Sequence, residues 1–270
     1  MEENTKRGAT PLAVIAIILA AAAIVVTCVA VGITLFGGDS DSSELEFTLK
    51  DDGTYAVSVG NTKNLSKIEI PKLYKGKQVT EIAENGFRYP LGDSSPIKEI
   101  IIPDSVKIIG NGAFYGCDGL VSITIPPSVK SIGDNAFSDC YSLTGITIPA
   151  SVKTIGINAF KDCVALKSLV IADGVRNISN MAFCGCDALV SVTIPESVTK
   201  IGAGAFNNCS SLKDVKILNK AVDIEDSAFY YSNSLAHIYF AGTAEEWGEI
   251  GMNPFYYNNA KVHYEYSVNK

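Results

Sequence analysis

Apolar positions change their pattern twice along the 270-residue chain. From Gly8 to Gly38 no charged residue occurs, and Leu12 to Phe36 is almost wholly Leu, Ile, Val and Ala. From Leu65 onward, short β-branched runs alternate apolar with polar residues and end in turn residues. Alternation with period two predicts strands with one buried face. These runs recur on a fixed interval. The pair Ala-Phe ends at Phe114, Phe137, Phe160, Phe183, Phe206 and Phe229, always 23 residues apart. Phe87 stands 27 residues before Phe114, and Pro90-Leu91-Gly92-Asp93 takes up the surplus. Cys117, Cys140, Cys163, Cys186 and Cys209 each follow their Phe by three residues.

One unit reads Leu120-x-x-Ile123-x-Ile125-Pro126-x-Ser128-Val129-x-x-Ile132-Gly133-x-x-Ala136-Phe137-x-x-Cys140. Its first part predicts a strand. Pro103, Pro126, Pro149 and Pro195 end that strand, because proline cannot donate to a ladder. Val129 and Ile132 point inward from a second extended segment. Gly133 permits a turn, and Ala136-Phe137 opens a short 3-10 or helical turn that drops Phe into the core. No unit can bury its apolar side alone, but stacked units can, so a β-rich solenoid is expected.

The string I-x-I-P-x-S-V-x-x-I-G-x-x-A-F-x-x-C closely resembles the BspA-like bacterial leucine-rich repeats, over residues 65–240. Units drift towards the end: Ala172 and Leu218 replace Pro, Ser179 and Glu225 replace Gly, and Ser232 replaces Cys. Terminal repeats of solenoids vary in this way. Proteins of this kind are often surface proteins proposed to bind host proteins, other cells or matrix. The resemblance therefore implies a leucine-rich-repeat fold and an adhesin-like interaction module binding protein or glycan. The alternative expectation is a structural envelope tether or spacer that binds anionic wall polymer.

The expected layout is a cytoplasmic N-terminus (1–10), one transmembrane α-helix (11–36), a linker (37–44), a β-hairpin cap (45–64), the solenoid (65–240) and a C-terminal cap (241–270). A spanning helix needs about 20 apolar residues. Lys6 and Arg7 precede the apolar run, and Asp39, Asp41 and Glu44 follow it. That asymmetry keeps the N-terminus inside and puts the solenoid outside the cell membrane. A cleaved signal has a shorter apolar stretch and a small-residue cleavage site, which Ile33-Thr34-Leu35-Phe36 lacks. A lipoprotein would use Cys28, yet the apolar run continues past it. Alternation around Asp52-Gly53 signals the hairpin. Thr243-x-x-Glu246 is a capping box for a short helix, where Trp247 covers the core, and residues 261–266 form a closing strand.

A net charge of −7 excludes general nucleic-acid binding. There are two histidines, His237 and His263, and no G-x-S-x-G, P-loop or H-E-x-x-H string. No catalytic residue, cofactor or metal site is expected, and the chain is read as a non-enzyme. Five of the seven cysteines share one interior column. Packing explains their identical spacing, so reduced thiols are expected there. Cys184 takes the place of Tyr115, Ser138 and Lys161 in other units and is expected to be exposed.

Two surfaces are candidates for binding. The strand face carries Glu99, Ser122, Gly145, Ser168, Ser191, Asp214 and His237 in one column. Beside it stand Ile101, Thr124, Thr147, Val170, Thr193, Lys216 and Tyr239. The other surface is a basic stripe of Lys107, Lys130, Lys153 and Arg176 on an otherwise acidic domain. The partners expected are the membrane and an extracellular protein or polysaccharide. Asp139 and Asp162 also recur at the repeat interval, on a different side.

Overall fold

The structure, a computed structural model, describes residues 44–60, 65–90, 92–250 and 260–267. The expected transmembrane helix, with the segments flanking it as far as residue 43, lies outside the described residues. Among the described residues no helix is long and apolar enough to cross a membrane.

An N-terminal hairpin, β1 (Leu45–Leu49) and β2 (Tyr55–Val59), leads into β3 (Lys67–Glu69), β4 (Leu73–Tyr74) and β5 (Lys77–Ile82). Each later turn adds a longer strand and a two-residue strand. These are β6 (Glu99–Ile101) and β7 (Ile108–Ile109), β8 (Ser122–Thr124) and β9 (Ser131–Ile132), β10 (Gly145–Ile148) and β11 (Thr154–Ile155). The series continues with β12 (Ser168–Ile171) and β13 (Asn177–Ile178), β14 (Ser191–Ile194) and β15 (Lys200–Ile201), β16 (Asp214–Ile217) and β17 (Asp223–Ile224). β18 (His237–Phe240), α1 (Ala244–Gly248) and β19 (Lys261–His263) close the fold. The short strands join one sheet in the order β1-β2-β5-β7-β9-β11-β13-β15-β17, with β4 paired to β5. The longer strands form two sheets, β12-β10-β8-β6-β3 and β14-β16-β18-β19.

Alternation decides which side chains enter. On β10, Ile146 and Ile148 are buried while Thr147 faces out. Val152, Ile155, Ala159, Phe160, Cys163 and Leu166 fill the rest of that turn's interior. The seven Phe rings from Phe87 to Phe229 stack at centroid distances of 4.9–5.5 Å, within 22° of parallel. Burying one such ring stabilises by about 1.5–3 kcal/mol before cavity effects are counted.

The third side differs from the expected 3-10 or helical turn. It contains no helix; hydrogen-bonded turns take its place. Two positions per turn have positive φ. One is Gly112, Asn135, Asn158, Met181, Gly204 and Ser227; the other is Gly116, Asp139, Asp162, Gly185, Asn208 and Tyr231. Left-handed residues interrupt a helix and turn some N–H groups towards the next coil. Phe137 N–H donates to Ala159 O at 2.7 Å and Phe160 N–H to Ala182 O at 2.7 Å. Within the turn, Ala159 N–H still reaches back to Gly156 O. The repeated Asp139 and Asp162 thus occupy a backbone niche that short polar side chains tolerate. The Ile-Gly glycine serves close approach rather than a special φ. A Cβ on Gly156 would stand 2.5 Å from the Gly133 carbonyl carbon.

The strand sheets separate between β12 and β14, where Ala172 replaces proline. Gly174 has φ +133°, and its N–H donates to Ser197 Oγ at 2.7 Å. Ser197 Oγ donates to Val175 O, and Ser197 N–H donates to Asp173 Oδ1. These side-chain bonds join the two coils just past the ends of β12 and β14.

Both ends are covered. β1 pairs antiparallel with β2, and β2 runs parallel to β5. Phe47 stacks on Tyr74 at 4.0 Å. At the other end Thr243 and Glu246 make a reciprocal capping box. Trp247 lies edge-on to Phe240 at 5.1 Å, and β19 adds in parallel to β18.

Candidate functional site

The parallel register brings the expected strand-face residues together in columns. Ser122 sits beside Glu99 and Gly145, and Gly145 beside Ser168. Thr124 follows Ile101, and Thr147 neighbours Val170. In the second sheet Ser191, Asp214, His237 and Lys261 form one row and Thr193, Lys216, Tyr239 and His263 another. Neighbours in a row lie about 4.8 Å apart. Ser122, Thr124, Thr147, Ser168, Ser191 and Thr193 make no side-chain hydrogen bond among the described residues. All six apart from the ladder itself are free, and Val170 beside them is 50% exposed.

This face changes character along its length. Its middle is small and hydroxylic. Its C-terminal end, where Lys216, His237 and Tyr239 are half-buried, is aromatic and cationic. Tyr239 stacks on His263 at 4.8 Å, and Lys216 Nζ lies 5.6 Å from the centre of the Tyr266 ring. Sequence reading placed Lys216, His237 and Tyr239 here but missed His263 and Tyr266. Those two come from the cap, outside the 23-residue interval.

The basic stripe runs along the sheet of short strands, at the residues just before β7, β9, β11 and β13. Lys107, Lys130, Lys153 and Arg176 are all exposed. Their main chains are joined across the turns: Lys107 N–H donates to Thr80 O, Lys130 N–H to Lys107 O and Arg176 N–H to Lys153 O. Lys153 Nζ donates to Ala150 O and Gly174 O, each at 3.2 Å. None of the four pairs with a carboxylate among the described residues. Carboxylates are engaged elsewhere, in Lys50–Glu81, Lys67–Glu99, Lys72–Asp104 and Lys200–Glu225.

Cys117, Cys140, Cys163, Cys186 and Cys209 are buried free thiols. Each Sγ donates to the carbonyl of the preceding turn's Phe, from Phe87 to Phe183, at 3.1–3.4 Å. Ser232 Oγ makes the same bond to Phe206 O at 2.8 Å. The column is therefore a line of small donors, which is why serine replaces cysteine in the last unit. Burial pushes the Cys117 thiol up to about 12 and holds the other four above their ordinary value too.

Cys184 departs from the expected exposed thiol. It is half-buried, and burial raises its pKa. Its N–H turns back to Met181 O, and its carbonyl accepts from Asp162 N–H of the preceding coil. Among the described residues no three metal-ligating side chains converge.

Residues 80–179 and 130–261 match the BspA type leucine rich repeat region, in six copies. The chain belongs to the BspA-type leucine-rich-repeat family. A solved leucine-rich-repeat structure agrees with the chain in fold. The Treponema (T. pallidum) leucine-rich repeat protein TpLRR is 24% identical, with a TM-score of 0.66 over 84% of this chain and 100% of that one. A leucine-rich repeat protein from Bacteroides ovatus is 24% identical over 75% of this chain and 71% of that one, with a TM-score of 0.46. The pneumococcal vaccine antigen PcpA is 19% identical over 76% and 70%, also with a TM-score of 0.46. No curated protein compared with the chain matches it.

Proposed function

We propose that this BspA-type chain is a non-catalytic interaction module, anchored through Leu12–Phe36 with its solenoid outside the cell membrane, that binds a protein or glycan on the strand face. The observation that carries the reading is the unused state of that face. Side chains on the inner columns are stacked and hydrogen-bonded, whereas Thr124, Thr147 and Thr193 make no side-chain hydrogen bond among the described residues. Thr124 and Thr147 stand side by side, and Thr193 continues the column past Val170 on the second strand sheet; exposed faces of this kind are what solenoids offer to partners.

The test combines placement and binding. Thr147→Cys supplies an exposed thiol, unlike Cys184, for a membrane-impermeant maleimide on intact cells. Labelling before lysis supports the outward placement; labelling after lysis alone overturns it. Cells carrying Thr124→Glu, Thr147→Glu and Thr193→Glu together are then compared with wild type on immobilised matrix proteins and a glycan array. Loss of a wild-type signal supports the face; an unchanged signal moves the site elsewhere.

The unpaired stripe favours a second reading, retention on anionic wall polymer. Stacked cations at this spacing repel one another unless anions intervene. Replacing Lys107, Lys130, Lys153 and Arg176 with Gln should abolish salt-sensitive retention on isolated wall material. Unchanged retention removes this reading.

A further inference from the structure

The chain's two histidines, 26 residues apart, meet at the C-terminal end of the strand face. His237 Nδ1 and His263 Nε2 stand 3.1 Å apart. Parallel pairing of β18 with β19 sets this contact, with His237 opposite Lys261 and Tyr239 opposite His263. The backbone is held on both strands: His237 N–H donates to Lys213 O at 3.0 Å, and Lys261 N–H to Ala236 O at 2.8 Å. The Tyr239 ring, stacked on His263 within 14° of parallel, fixes the orientation of that imidazole. Both rings are half-buried, so water reaches them.

At this distance one ring nitrogen donates a hydrogen bond to the other, and the separation also suits chelation. With metal–nitrogen bonds of about 2.0–2.1 Å, two imidazole nitrogens on one ion stand about 2.9 Å apart at a right angle and about 3.4 Å apart in a tetrahedron. The observed distance falls between. We propose that His237 and His263 form a two-imidazole site for a late divalent metal (Zn2+, Ni2+ or Cu2+), water completing the coordination, which staples β19 to the last solenoid turn. Binding requires both facing nitrogens to be unprotonated, each ring keeping its proton on the other nitrogen. The charges around the site nearly balance. Asp214, registered against His237 on β16, favours the cation. Lys261 opposes it, while Lys216 is drawn towards the Tyr266 ring. The site lies at the C-terminal end of the strand face, does not rest on ligand binding at Thr124, Thr147 and Thr193, and ties the closing strand to the last turn.

The test uses the full chain at neutral pH. With one equivalent of Cu2+, electron paramagnetic resonance should show hyperfine coupling from two imidazole nitrogens. His237→Gln and His263→Gln, which keep a hydrogen-bonding group, should each weaken binding about a hundredfold by removing one arm of the chelate. Zn2+ should raise the wild-type Tm by mass action and leave both variants unmoved. A wild-type spectrum without imidazole nitrogen overturns the proposal. So does equal affinity in wild type and variants, which would place the metal on thiols or the chain terminus. The wild-type spectrum does not depend on how either variant folds, and His237 lies within the solenoid rather than in the cap.

Discussion

The inner and outer columns of this solenoid share one repeat interval, but their residues vary differently. Inside, position after position is the same residue: Phe114, Phe137, Phe160, Phe183, Phe206 and Phe229, with Cys117 through Cys209 behind them. Outside, the same register carries Ile101, Thr124, Thr147, Val170, Thr193, Lys216 and Tyr239. An inner side chain meets identical neighbours in the coils above and below, at about 5 Å, so one size fits every turn. An outer side chain meets water, and strand propensity alone limits it. Uniformity marks the columns that fold the chain; variation marks the columns free to take on a function.

The largest expected effect lies in the inner stack. Phe160 has a ring on each side, at 4.9 and 5.2 Å. Phe160→Ala should destabilise by about 3–5 kcal/mol in chemical denaturation, because rigid coils cannot collapse into the cavity. Phe87, stacked on one side by Phe114, should cost less when truncated. Equal costs would mean that the stack does not act as a column.

The thiol column predicts an alkaline weakness. An ordinary thiol near 9.0 is pushed up to about 12 at Cys117 by burial. Above pH 9 the unfolded chain releases protons that the folded chain retains. Stability is therefore complete below pH 9 and falls as pH rises towards 12, by up to about 1.4 kcal/mol per pH unit for each thiol. Cys163→Ser, which can keep the bond to Phe137 O as Ser232 does to Phe206 O, should cost about 1 kcal/mol at neutral pH and flatten the alkaline decline. Denaturant midpoints measured from pH 7 to 11 check both parts.

Two smaller substitutions probe the third side and the cap. Thr243→Ala removes the side-chain half of the capping box, the acceptor for Glu246 N–H, and should cost about 1 kcal/mol, seen as earlier exchange of amides in α1. Met181 has φ +54° where Gly112 and Gly204 stand in other turns. Met181→Gly should stabilise by about 0.5 kcal/mol, the relief of left-handed strain exceeding the entropy that glycine adds to the unfolded chain.

Interior demands wrote themselves plainly into the sequence. The 23-residue interval, the strand-ending prolines, the hairpin and the capping box all come from constraints that repeat or are local. The left-handed turn positions were harder to read, because Gly, Asn, Asp, Met, Ser and Tyr all fill them and share no obvious type. The strand sheet divides between β12 and β14, beside a coil junction where Ser197 reaches Asp173 and Gly174 rather than following the repeat's usual pattern. Cys184 is half-buried, which its place in the unit does not show. His237 and His263 meet because the cap adds a strand outside the repeat interval, so no periodicity connects them.

The smallest expected stability change carries the most functional weight. Thr147 projects from β10 with no side-chain hydrogen bond among the described residues, between Thr124 and Val170 in its column. Thr147→Glu should alter stability by less than about 0.5 kcal/mol, as surface substitutions away from structural features do. On the outer face a carboxylate meets no partner it can displace inside the molecule. If the strand face binds, the same change should remove binding while the denaturation curve overlays that of wild type. A large loss of stability would show that the outer column helps to hold the coils together. The contrast between folding columns and free columns would then fail at its clearest position.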